Sequence, residues 1–101
     1  MSLDLEIGEE SEYYNYTYNV SDMWYKIYPE DKGMVQIEGM TGIKASCKII
    51  HAIEILRNNS PLFRKMEPKN KWGSYEGFLA FLKEVFDACM RHPYAIWRAY
   101  R

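Results

Sequence analysis

Cys47 and His51 lie about one helical turn apart, and a thiol beside an imidazole has the composition of a nucleophile with its base. No third side chain stands at a spacing that would orient the imidazole, so the pair is read as chance composition. His92, the other histidine, falls where a helical pattern ends, and a helix C-terminus favours positive charge. Cys47 and Cys89 are far from C-x-x-C spacing, and no metal-ligand set is present. Both thiols are expected to be reduced and buried. No catalytic residue, cofactor site or metal site is expected.

The segment Trp72-Gly73-Ser74-Tyr75-Glu76-Gly77-Phe78 concentrates more special chemistry than a plain helix start needs. Ser74 predicts an N-cap, Glu76 suits the positive end of the helix, and Trp72 could fold over Phe78 as a hydrophobic staple. Gly77 is the odd residue, because glycine in a helix costs up to about 1 kcal/mol relative to alanine. Something must approach closely there, either another segment of this chain or a ligand. Lys69 and Lys71 beside a helix start would suit an anion, but Glu76 places negative charge where the anion would sit. Neither glycine-rich phosphate motif occurs.

Tyrosine and tryptophan anchor protein interfaces, which makes Tyr16, Tyr18, Trp24, Trp72 and Tyr75, with Glu76, the candidate interaction surface. The run Tyr13 to Tyr18 could also stack bases, but its acidic flanks repel phosphate. Arg57, Arg64, Lys65, Lys69 and Lys71 face a single acid, Glu67, and form the candidate basic patch for nucleic acid.

These residues need elements to hold them. Leu3, Leu5 and Ile7 alternate with Asp4 and Glu6 and predict a strand ended by Gly8. Tyr14, Tyr16 and Tyr18 alternate with polar residues and predict extended structure. Ser21 is read as the cap of a short helix closed by Pro29, and Thr41 as the cap of a helix over 42–58. In that helix Ala45, Ile49, Ala52, Ile53 and Leu56 share one face, while Ile43, Cys47 and Ile50 fall roughly opposite. A helix apolar nearly all round is usually central and buried, the alternative being a second face that meets a partner subunit. Ser60-Pro61 starts a short helix whose Leu62, Phe63 and Met66 should point inward. The last helix follows Ser74, with Tyr75, Phe78, Leu79, Leu82, Val85, Phe86, Cys89 and Met90 on its apolar face, and ends at His92-Pro93. Residues 94–100 are read as a terminal strand pairing with the first.

The chain of 101 residues suits one domain, residues 1–101. Apolar residues make up 48%, enough for a core, and the net charge of −1 argues against non-specific nucleic-acid binding. The halves differ, with nine acids and four bases in residues 1–50 and five acids and nine bases in 51–101. No apolar run reaches membrane-spanning length and no basic signal segment opens the chain, so the expectation is a cytoplasmic protein with no membrane contact.

Asn19-Val20-Ser21-x-Met23-Trp24-Tyr25, Gly39-Met40-Thr41-Gly42 and Trp72-Gly73-x-Tyr75-Glu76-Gly77-Phe78-Leu79, in this order, resemble a set of small uncharacterised proteins of phages and prophage-bearing bacteria. The resemblance covers roughly residues 1–98. It implies a phage-related origin, a bacterial host cell and a single small domain, and brings no activity with it. At the start of the 42–58 helix such proteins often carry an acid, where this chain has Ile43 and Lys44.

The expected fold is α+β, with three to four helices packed against a small antiparallel sheet that pairs the N- and C-terminal strands. The expected function is non-enzymatic, an accessory factor that binds an unknown protein partner or itself. One alternative is a nucleic-acid-binding accessory factor using the 57–71 cluster. Another is an enzyme with a site near Trp72 and Tyr75.

Overall fold

The computed structural model describes residues 2–8, 12–17, 20–30, 33–71 and 73–100, with the side chains of residues 2, 3 and 35 set aside. Three strands, β1 (Ser2–Ile7), β2 (Glu12–Thr17) and β3 (Arg98–Tyr100), form one antiparallel sheet in the order β2-β1-β3. The first strand is therefore central, and the last one closes the sheet. The helices are α1 (Ser21–Ile27), α2 (Gly42–Asn58), α3 (Ser60–Arg64) and α4 (Tyr75–Arg91), with a 3-10 turn at Gly33–Ile37. The fold is α+β, with the N- and C-terminal strands paired.

Period-two alternation sorts the sheet's residues. Leu5 and Ile7 are buried in the core, while Asp4 and Glu6 lie on the other face. On β2, Tyr14 and Tyr16 pack against the core and Tyr13 and Asn15 are exposed. α2 and α4 pack along each other, and Trp24, Trp97 and Phe63 are the largest fully buried side chains around them. The two helices come into close backbone contact where one begins and the other ends. A Cβ on Gly42 would lie 2.3 Å from the carbonyl oxygen of His92.

Several expectations meet corrections. The terminal strand spans only 98–100, because the residues before it pair elsewhere. Trp97 N–H donates to Met40 O, Gly39 N–H to Trp97 O and Gly42 N–H to Ala95 O, with Thr41 and Ile96 forming an isolated bridge. Ser21 does not cap α1. Val20 precedes the helix with ψ near 6°, so Ser21 is already in the first turn, and the helix makes no side-chain cap hydrogen bond. Leu62 and Met90, expected inside, are 46% and 49% exposed. Cys47, expected to be buried, is exposed, while Cys89 is buried with its sulfur 3.3 Å from the Trp97 indole nitrogen. Burial pushes the Cys89 thiol up.

The largest correction concerns α2. It is not covered all round, although α1, α3 and α4 all pack against it. Ile43 and Ile50 are 45% and 37% exposed, and Cys47 between them is exposed too.

Candidate interaction surface

The start of α4 is a closed structural device. Ser74 Oγ accepts the Gly77 N–H at 2.9 Å, as an N-cap does. The Glu67 carboxylate accepts the Tyr75 N–H at 3.0 Å, and the Tyr16 hydroxyl accepts the Ser74 N–H at 3.1 Å. Three of the donors an anion would need are thus held by the chain's own oxygens. Gly77 is explained by the same tyrosine. A Cβ there would stand 2.0 Å from the Tyr16 hydroxyl oxygen and 2.9 Å from its Cζ. The Tyr16 ring also stacks on Phe81, with centroids 5.7 Å apart. The close approach is internal, and the glycine makes room for a side chain from β2.

Most of the aromatic residues expected to offer a surface serve the interior. Trp24 is fully buried and Tyr75 nearly so, with the Tyr75 hydroxyl donating to Leu56 O at 2.8 Å. Neither can meet a partner, and Tyr75 cannot serve a catalytic site without breaking the core. Their apolar bodies win the competition between burial and exposure. Tyr16 is half-buried and committed to α4. Glu76 is exposed and pairs with Arg64 at 3.0 Å. Tyr18 and Trp72 lie outside the described residues.

Of the basic patch, Arg57, Arg64, Lys65, Lys69 and Lys71 are all exposed. Arg64 also lies over the Tyr75 ring, 4.7 Å from its centroid, and so is held between Glu76 and an aromatic face. That leaves the patch weaker as a phosphate track than its composition implied.

At the other end of α4 stands a cluster that sequence spacing did not reveal. Arg91 Nη2 donates to Glu12 Oε2 at 2.9 Å and to the Tyr14 hydroxyl at 2.6 Å. The Tyr14 hydroxyl in turn donates to Glu12 Oε2 at 3.0 Å, and His92 Nε2 stands 3.1 Å from Glu12 Oε1. The Arg91 guanidinium first, and His92 second, hold the Glu12 carboxyl down to about 2 from about 4.5. The same carboxylate pushes Arg91 up. The His92 ring sits against Gly8, where a Cβ would come within 3.2 Å of it. The cluster ties the hairpin to the end of α4. Arg91 and Tyr14 both direct their polar groups at Glu12, while His92 Nε2 lies within ion-pairing distance of it without making a hydrogen bond.

Cys47 and His51 do not act together, since no hydrogen bond joins them and the His51 ring faces Tyr28 at 5.8 Å. Among the described residues no group of three or more His, Cys, Asp or Glu could hold a metal ion. A crevice bounded by Tyr16, Trp24, Met34 and Phe81 has about 20 Å³ of space, room for one water molecule. The Trp24 indole N–H finds no acceptor among the described residues. A second, open groove lies between the end of β1 and residues 94–96, with Glu6 and Arg98 on its walls. Among the described residues no helix is long and apolar enough to cross a membrane.

What remains unpartnered is the outward face of α2. Ile43, Cys47 and Ile50 recur at spacings of four and three, which keeps them on one stripe of the helix. The segment after α4 adjoins the start of that stripe, because the Ile43 N–H donates to Pro93 O. Tyr94 and Ile96 on that segment are 82% and 50% exposed. Sequence periodicity had marked the stripe, and only the packing shows that it faces out.

Compared with protein-family models, curated proteins and solved structures, the chain matches none of them.

Proposed function

We propose that the protein acts by binding another protein chain rather than by catalysis, and that the outward face of α2 is where it binds. The observation that carries this reading is the exposed stripe Ile43, Cys47 and Ile50, joined at its start by Tyr94 and Ile96. Exposed apolar side chains are ordinary when scattered singly, whereas a contiguous group marks an interaction site. The resemblance to phage and prophage proteins supplies the setting, an accessory factor in a bacterial host cell. A nucleic-acid role through Arg57, Lys65, Lys69 and Lys71 is the weaker reading, since Arg64 at the centre of that cluster is already engaged.

Light scattering on the pure protein, with affinity capture from host-cell lysate, tests the reading. Wild type should either self-associate or retain a specific partner, and Ile43→Asp/Ile50→Asp should lose it. A strict monomer that retains nothing would sink the reading.

A further inference from the structure

The stripe on α2 continues past its apolar part. Ile43, Cys47, Ile50, Glu54 and Arg57 follow the alternating four-three spacing of a helix-pairing seam, and all five are exposed. Over the fourteen steps from 43 to 57 the seam is about 21 Å long at 1.5 Å per residue. The charges along it are ordered. Lys44 lies beside the seam near the N-terminal end of α2, while Glu54 lies on it in the C-terminal half. They are about 15 Å apart along the axis, too far to pair with each other. Neither has an ion-pair partner among the described residues, and both are exposed.

We infer that this face seats the same face of a second copy of the chain, the two α2 helices running antiparallel about a two-fold axis between Cys47 and Ile50. The inference rests on the binding role proposed above and names the occupant. Antiparallel pairing about that axis puts Cys47 against Ile50 of the other copy and Ile43 toward its Glu54. It brings Lys44 of each copy beside Glu54 of the other, so both unpaired charges find a partner twice over. Parallel pairing would stack Lys44 on Lys44, Glu54 on Glu54 and Arg57 on Arg57, which is repulsive. A two-fold interface uses one patch on both copies, and this patch is complementary to itself in only one of the two directions. Tyr94 and Ile96, beside the start of α2, then lie next to the C-terminal end of the second copy's helix and widen the contact.

The test is sedimentation equilibrium on the full chain and its variants, with thermal melting as the folding control. All altered residues are exposed, so at concentrations well below the dissociation constant, where every form is monomeric, the variants should melt as wild type does. Wild type should form a dimer in the micromolar range, and a bis-maleimide should join Cys47 to Cys47 within it. Ile50→Lys should raise the dissociation constant roughly a hundredfold or more, and Lys44→Glu or Glu54→Lys about tenfold each. Lys44→Glu/Glu54→Lys should restore the dimer, because the swap recreates both pairs. A dimer that Ile50→Lys leaves intact would overturn the inference and the binding face together. A dimer lost in Ile50→Lys but not restored by the charge swap would overturn the antiparallel geometry alone. A monomeric wild type that still retains a specific lysate protein, lost in Ile43→Asp/Ile50→Asp, would overturn the self-pairing and leave the binding role standing.

Discussion

α2 and α4 each run seventeen residues, each begins on a hydroxyl cap, from Thr41 and Ser74, and each buries seven residues. Their outward faces differ. α4 turns Glu76, Lys83, Glu84, Asp87 and Arg91 to solvent, the expected polar half of an amphipathic helix, with Met90 the one large apolar side chain exposed on it. α2 turns out Ile43, Cys47 and Ile50. α4 is also tied at both ends to β2, by Tyr16 at its start and by Glu12 and Tyr14 at its finish. α4 is thus a finished structural element whose special residues serve the fold. α2 carries apolar surface that the fold does not use.

Substitutions on each helix test this difference. The largest effect is expected at the seam between the helices. Gly42→Ala drives a Cβ into the His92 and Cys89 carbonyl oxygens, which are backbone and cannot swing away. The expected loss is on the order of 3 kcal/mol by denaturant unfolding, despite alanine's better helix propensity. A stabilised Gly42→Ala would mean that the two helices are not held this closely.

Gly77→Ala comes next. Its obstacle is the tip of Tyr16, which can move, at the cost of a hydrogen bond to Ser74 and the stack on Phe81. The net loss should be about 1 kcal/mol after helix propensity is credited. In a Tyr16→Ala background the loss should vanish, and a double-mutant cycle that adds instead would break the assignment.

Acid should loosen the far end of α4. The folded value of Glu12 is depressed to about 2, so its stabilising contribution is present above the ordinary carboxylate value and fades as pH falls from about 4.5 toward 2. Melting temperature should drop across that window, and Glu12→Gln should flatten the drop. An unchanged acid limb in Glu12→Gln would mean that the cluster contributes nothing. The smallest effect is expected on α2. Ile50→Lys should change monomer stability by less than about 0.5 kcal/mol, as for an exposed site away from special features. A large loss there would show that the face is structural after all.

How far these features could be read from sequence follows from their range. The caps at Thr41 and Ser74 were legible because a cap is a matter of three residues. The α+β class and the pairing of first and last strands were legible from period and position. The cause of Gly77 was not, because Tyr16 stands 58 residues from Ser74 in the chain. The Glu12–Arg91 pair spans 79 residues and carries no local spacing signal at all. The outward stripe of α2 was visible as a pattern, but periodicity alone does not say whether a second apolar face is covered. Trp24 and Tyr75 misled for a related reason, since an amphipathic ring suits a core and an interface equally.

The sheet order has a kinetic consequence. β1 meets β2 through a short hairpin, but it meets β3 only by closing a loop, with Glu6 and Tyr100 94 residues apart. Loop-closure entropy grows slowly with length, yet it must be met before a three-residue strand returns any contact. Docking of β3 should therefore be the last event of folding and its release the first of opening. In native-state hydrogen exchange, the amides of 98–100 should exchange through a local opening well below the global free energy, while Leu5 and the α2–α4 core wait for complete unfolding.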